Sequence, residues 1–184
     1  VPVIAPAPTR QRLLDATTEL LAEGGYAAAT VAALTSRAGV ASGTLYRHFS
    51  SKEELFVEIF RNLSGRELDA MRDAAAGERD SLDRLEAAID AFARRALAEP
   101  RVAWALLAEP VDALVDAERL DYRRRYRDLV AGVVPGNSVT LAAAIVGGVS
   151  EALVGPLSEP PAGPQERSAL IAEIKAFARR AATP

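Results

Sequence analysis

Gly39 falls between two apolar runs, each only about two helical turns long, and this interruption constrains the chain more than any other feature. Thr30 opens the first run, in which Val31, Leu34 and Ala38 recur on one side before Gly39 ends it. Ser42 opens the second, where Leu45 and Phe49 stand four apart on the face to be buried. Thr30 and Ser42 are both residue types that cap helix N-termini. A short helix, a turn at a glycine and a second short helix form a helix-turn-helix pattern.

The flanking sequence is helical too. From Arg10 to Gly24, residues Leu13, Leu14, Thr17, Leu20 and Leu21 keep helical spacing, and Gly24-Gly25 is expected to stop that helix. A fourth helix begins after Ser50 or Ser51, with Ser51 and Glu54 spaced as a capping box ahead of Leu55, Phe56, Ile59, Phe60 and Leu63. Gly77 to Ser81 separates it from a fifth, carrying Leu82, Leu85, Ile89 and Phe92. Pro100 opens a short sixth helix that Pro110 closes. Val111 to Val134 forms a seventh, with a charged middle from Glu118 to Asp128. Ser138 to Val154 is so uniformly small and aliphatic that it is expected to be buried on most sides. Gly155 to Pro164 reads as a loop, and Glu166 to Ala181 as a last amphipathic helix with Leu170, Ile174 and Phe177. The hydrophobic fraction is 49% but the aromatic fraction only 5%, so the core must be aliphatic and alanine-rich. The expected fold is all-α with about nine helices, divided into a flexible leader (1–8), a three-helix helix-turn-helix domain (9–52) and a larger helical domain (53–184).

Several functions are disfavoured by what the chain lacks. With no cysteine there is no disulfide scaffold, thiol nucleophile or thiolate metal site, and one histidine leaves little for a metal centre or a catalytic relay. No cofactor, metal or enzymatic activity is expected. Val1 to Pro8 does not resemble a secretion signal. The uncharged interval Leu129 to Ser150 is broken by Pro135, Gly136, Asn137 and Ser138, leaving an apolar piece too short to span a bilayer. A soluble, cytoplasmic-type protein without membrane contact is expected.

The net charge is −3, yet Ala28 to Lys52 holds Arg37, Arg47 and Lys52 and no Asp or Glu, a local +3. Burying Leu45 and Phe49 directs Thr44, Arg47 and His48 outward, with Tyr46 at the flank. These are side-chain types that contact phosphates and base edges.

The run Thr30-Val-Ala-Ala-Leu-Thr-Ser-Arg-Ala-Gly-Val-Ala-Ser-Gly-Thr-Leu-Tyr-Arg-His-Phe-Ser-Ser-Lys-Glu-Glu-Leu55 resembles the DNA-binding signature of TetR-type transcriptional regulators, a resemblance covering roughly Arg10 to Phe60. It implies a homodimer on a palindromic double-stranded operator, usually a repressor, released when a small molecule enters the larger domain. By the same resemblance Thr30 caps the second helix and touches the DNA backbone, and Ser42, Gly43, Thr44 and Arg47 face the groove. Tyr46 and His48 match phosphate-contacting positions, and Lys52 matches the positive residue opening the fourth helix. Arg47 stands where many relatives carry an aromatic, so guanine reading and phosphate binding both remain open for it.

For the larger domain, Met71, Phe92, Trp104, Leu107, Tyr122 and Tyr126 are the candidates to line a pocket for a small apolar or amphipathic ligand. Tyr122 and Tyr126 lie one turn apart among Arg123, Arg124, Arg125 and Arg127, which either recognise an acidic ligand or form a solvated face with Asp121 and Asp128. The apolar eighth helix, paired with the ninth, is expected to form a two-fold interface with Ala144, Val146, Gly148 and Leu170 in or beside it. A helix-turn-helix regulator without a ligand, and a purely structural helical protein, are the alternatives.

Overall fold

The computed structural model describes residues 8–183, in which nine α-helices are joined by short connections and no strand is present. Apart from Pro8, which flanks the first helix, the expected leader lies outside the described residues. α1 (Thr9–Ala28) does not end at its double glycine. Gly24 and Gly25 leave helical geometry, Gly25 at φ +73°, and the chain then makes one further turn. The pair bends the helix and redirects Tyr26 and Ala27.

α2 (Val31–Arg37) is capped by Thr30, whose Oγ1 accepts from the Ala33 N–H at 3.2 Å. Gly39 makes the turn at φ +62°, and α3 (Ser42–His48) follows. Ser42 is not the cap expected of it; Ala41 holds that position without a side-chain bond, and Ser42 is the first helical residue. At Gly39 a Cβ would sit 3.0 Å from Arg12 Nη2, in a backbone region that L-residues avoid by about 1–2 kcal/mol. Gly39→Val is therefore expected to lower the melting temperature by roughly 3 °C or more, measured by circular dichroism.

α4 (Lys52–Ala76) is capped by Ser51, which accepts from the Glu54 N–H at 3.2 Å. The Glu54 carboxylate reaches back to the Ser50 N–H, one residue earlier than a standard capping box. α5 (Ser81–Ala98) and α7 (Ala113–Ala131) are capped by Asp80 and Asp112, and α6 (Pro100–Leu107) has Pro100 in its first turn. A 3₁₀ turn at Pro135–Asn137 leads to α8 (Val139–Ser158), and α9 (Pro164–Ala182) ends the described chain.

Two cores result. Leu13, Leu21, Leu34, Leu45, Phe49, Leu55 and Phe60 gather α1–α3 on the first turns of α4. Leu85, Ile89, Phe92, Val130, Ile145, Leu153 and Ile174 join α5, α7, α8 and α9. α4, α6 and α7 contribute to both, so the helix-turn-helix unit is bolted to the larger body rather than tethered to it.

α8 departs from expectation twice. It runs through Gly155 and Pro156 to Ser158, where a loop was expected. Proline forfeits one backbone hydrogen bond there, but the same turn buries Leu157, worth about 1.5–3 kcal/mol. At 20 residues the helix is now long and apolar enough to cross a bilayer by length and composition. It is also not buried on most sides. Ala142, Ile145, Val149, Leu153 and Leu157 form one buried stripe packed into the second core, and Val139, Ala143, Ala144 and Gly147 stay exposed. Gly148 lies under Phe177 of α9; a Cβ there would come within 2.6 Å of that ring. Gly148→Leu is expected to push α8 and α9 apart and destabilise the fold, typically by about 1–3 kcal/mol, read as a lower urea midpoint.

Candidate nucleic-acid interface and ligand cavity

Helix α3 is held by its apolar side. Leu45 is fully buried and Phe49 nearly so, which leaves Ser42, Gly43, Tyr46, Arg47 and His48 exposed and Thr44 half-buried beside them. Tyr46 is 55% exposed, so it does not pack beside Phe49. A Cβ on Gly43 would meet nothing within 4 Å. The protomer's own packing does not require a glycine there; what the missing side chain leaves open is the outer surface of α3.

The turn that aims α3 depends on residues the sequence did not single out. Arg12 of α1 donates to the carbonyls of Ala38 and Gly39, the latter at 2.8 Å, satisfying groups left open where α2 ends. Arg10 pairs with Glu58 of α4 and places its guanidinium 5.1 Å from the Phe49 ring centroid. No sequence pattern marks either arginine, because their partners are a backbone turn and a residue 48 positions away.

The acid-free interval is not acid-free in space. Arg37 makes a two-pronged pair with Glu23 and a further contact with Glu19, both on α1. Glu23 holds the Arg37 pKa above its ordinary value, and Arg37 in turn lowers that of Glu23. Its charge serves the α1–α2 packing. Arg47 makes no ion pair among the described residues, and the Lys52 ammonium rests 4.4 Å from the Tyr26 ring centroid at the mouth of α4. The other cations of the interval are Arg47, exposed in the last turn of α3, and Lys52, at the start of α4.

In the larger body a cavity of about 270 Å³ lies among α4, α5, α6 and α7. Phe92, Leu107, Tyr122 and Tyr126 line it together with Phe60, Leu63, Val102 and Leu106. Met71 and Trp104, also expected there, do not. Met71 is buried in the second core between α4 and α5, and Trp104 packs on that core from α6. Charged side chains also reach the lining, among them Arg66, Glu67, Arg95, Glu99, Arg119 and Arg123. The Tyr122 hydroxyl donates to the Arg61 carbonyl at 3.0 Å, and burial pushes the Tyr126 phenol pKa up. Burial likewise raises the Glu67 carboxyl pKa, against the pull of Arg95 at 2.9 Å. Of the arginines that flank the two tyrosines on α7, Arg125 is paired with Asp121 and lies over the Tyr122 ring, and Arg127 is paired with Asp128.

Helix α6 links this cavity to the helix-turn-helix unit. Arg119 of α7 donates to the carbonyls of Ala105, Leu106 and Glu109, fixing the end of α6. Just beyond it, the Glu109 carboxylate accepts from the Tyr26 N–H at 2.7 Å and the Ala27 N–H at 3.2 Å. The Tyr26 hydroxyl donates to Asp112. Gly25 permits this grip, since a Cβ at that position would fall 2.6 Å from Glu109 Oε2. Only the fold supplies the Glu109 partners, which lie 82 and 83 residues away in the sequence.

On the far side, Ala144 is exposed on α8 and Phe177 on α9. Val146 and Leu170, expected at a two-fold interface, are half-buried and pack on the protomer's own second core, and Gly148 is occupied by Phe177.

An outward-facing α3 on a turn pinned to α1, fused to a helical body with an internal cavity, is the architecture of a helix-turn-helix DNA-binding protein. Residues 13–59 match the family described as bacterial regulatory proteins, tetR family. The HTH-type transcriptional repressor KstR2 of Rhodococcus jostii is 35% identical over 129 residues, covering 68% of this chain and 63% of the relative. The chain thus spans less than two thirds of that relative's length. Over nearly the whole chain the fold matches a TetR-like transcriptional regulator from Rhodococcus sp. RHA1, with TM-score 0.72, 20% identity and 97% of each chain covered. It also matches the transcriptional regulator FadR from Bacillus subtilis in complex with stearoyl-CoA, with TM-score 0.75, 19% identity and 94% and 97% covered. Residues 13–59 are thus similar to the N-terminal domain of tetR-family regulatory proteins, and the fold over nearly the whole chain is that of the two solved regulators.

Proposed function

We propose that the protein is a sequence-specific DNA-binding transcriptional regulator, acting as a dimeric repressor that leaves a palindromic operator when a small apolar or amphipathic ligand fills the α4–α7 cavity. The observation that carries this reading is the exposed side of α3, with Ser42, Gly43, Thr44 and Arg47 unobstructed and the helix locked from behind by Leu45 and Phe49. Such a helix fits the major groove. Thr30, Tyr46, His48 and Lys52 surround it as backbone contacts. The role is that of a regulator, not an enzyme. Similarity to KstR2, a repressor, supports the sign of regulation. FadR, a fold neighbour seen with stearoyl-CoA, supports a ligand.

Dimerisation follows from the unpartnered faces of α8 and α9. Val139 and Phe177, 52% and 38% exposed, stand on this side with the exposed small residue Ala144. A second copy covers this face and sets the two α3 helices about 34–36 Å apart, or a multiple of that distance, to reach successive half-sites. Ligand in the cavity displaces α6, and Glu109 passes the displacement to Tyr26 and Ala27 at the end of α1. Tenfold release requires only about 1.4 kcal/mol of coupling.

The test is selection from random duplexes. Recovered fragments are expected to share an inverted repeat, and recovery of no common symmetric site at moderate salt would overturn the reading. Side-chain roles separate in the same assay. Lys52→Ala and Tyr46→Ala are expected to weaken binding to all sequences alike. Arg47→Ala should relax preference at one operator position, by about 1–3 kcal/mol if it grips guanine bidentately. Equal losses on specific and random DNA would put Arg47 on phosphate instead.

A further inference from the structure

The α4–α7 cavity adjoins two grooves, and only one of them gathers several arginines. Towards α1 it shares Thr18, Leu63 and Arg66 with a groove also lined by Asp15 and by Glu19, whose carboxylate is paired with Arg37. Towards α8 it shares Leu107, Arg123 and Ser150 with a groove of about 440 Å³. There Arg123, Arg124 and Arg127 face a single carboxylate, Glu151. Arg127 is engaged by Asp128, but Arg123 and Arg124 make no ion pair among the described residues. Two unpaired guanidinium groups beside an apolar cavity have the chemistry of an anion site placed at the end of a hydrophobic one.

Resting on the ligand-responsive reading above, we propose that the ligand is an amphipath with a defined orientation, its apolar chain in the α4–α7 cavity and a phosphate or carboxylate head in the α7–α8 groove on Arg123 and Arg124. Guanidinium forks bind both oxyanions bidentately, which is why one site serves either head. The groove is separate from the proposed dimer face. Ala143 and Gly147 line it, whereas the exposed Ala144 and Gly148 beneath Phe177 of α9 lie one residue on and so about 100° around α8. The orientation also explains why the arginines on α7 differ. Arg125 and Arg127 are held by neighbouring aspartates, whereas Arg123 and Arg124, both lining the groove, make no ion pair among the described residues.

The experiment titrates the full chain with decyl phosphate, decanoate and decanol, which share a chain and differ in head. Intrinsic fluorescence of Trp104, the single tryptophan and a neighbour of the cavity-lining Ala103, is the readout. At least one anionic probe is expected to bind tenfold or more tighter than decanol. The Arg123→Gln/Arg124→Gln double variant is expected to abolish that excess while leaving decanol binding unchanged. Preference for decyl phosphate over decanoate identifies a phosphate head, and the reverse a carboxylate. Equal binding of all three probes, an excess that survives in the double variant, or no binding of any probe would overturn the proposal. The same preparations are tested on the selected duplex. Intact operator binding alongside such a failure leaves the regulator reading standing, whereas loss of operator binding in the unsubstituted chain removes that reading itself.

Discussion

Ala144→Glu is expected to convert the dimer to a monomer in sedimentation and to lower operator affinity by roughly a hundredfold or more. The size of the effect comes from linkage between half-sites, since losing the second attachment of a bivalent binder forfeits about 10²–10⁴ in affinity without touching the first. Ala144 suits the purpose because it is exposed in the protomer and stands clear of the buried stripe Ala142, Ile145, Val149 and Leu153. The monomer should keep its helical content and melt cooperatively. Val146 is the wrong position for this experiment. It packs on the second core, so an aspartate there damages the protomer before it tests the interface. A fully dimeric Ala144→Glu protein with unchanged operator affinity would move the interface elsewhere.

The second large effect is expected at Arg119, whose side chain is only 11% exposed and donates to three carbonyls at the end of α6. Burial lowers its pKa, although Asp116 opposes this. Arg119→Met keeps much of the stem but leaves those carbonyls without their donor. Hydrogen bonds from a charged group contribute about 1.5–3 kcal/mol each, not additively. A loss of about 3–5 kcal/mol overall corresponds to a melting temperature lower by about 10 °C in a chain of this size. Glu109→Gln is the milder companion. Glutamine has one acceptor oxygen where glutamate offers two, so one of the Tyr26 and Ala27 N–H groups loses its partner. Its stability should fall by no more than about 1–3 kcal/mol, while coupling between cavity and operator weakens. A melting temperature unchanged by Arg119→Met would show that the α6 end is held by packing alone.

Local chemistry made the helix-turn-helix readable. Thr30, Gly39, Leu45 and Phe49 act within a few residues of themselves, through a cap, a turn and an i, i+4 face, and the structure places each as its type demands. Ser42 shows the limit of such reasoning, because Ala41 takes the cap position with no side-chain bond at all. Where partners are distant the sequence was silent. Arg37 counted towards a basic footprint until the fold set Glu19 and Glu23 against it, and no local pattern marks Glu109, whose partners come only where α6 meets the bend at Gly24-Gly25. The cavity was legible in part. Aromatic residues on α5 and α7 reach it, but Trp104 and Met71 turn into packing, since size alone does not say which way a helix presents a side chain. In α8 the proline and glycine that signalled a loop were overridden by the burial of Leu153 and Leu157 on either side.

The central claim is that α3 reads DNA sequence in the major groove. The measurement that tests it most directly is fluorescence anisotropy of the selected duplex and a scrambled one at physiological salt, with the unsubstituted protein and with Thr44→Ala/Arg47→Ala. The account predicts at least about 10³-fold tighter binding to the selected duplex, two chains per duplex, and a preference largely erased by the double variant. Equal affinity for both duplexes, or a preference that survives loss of both side chains, would contradict it.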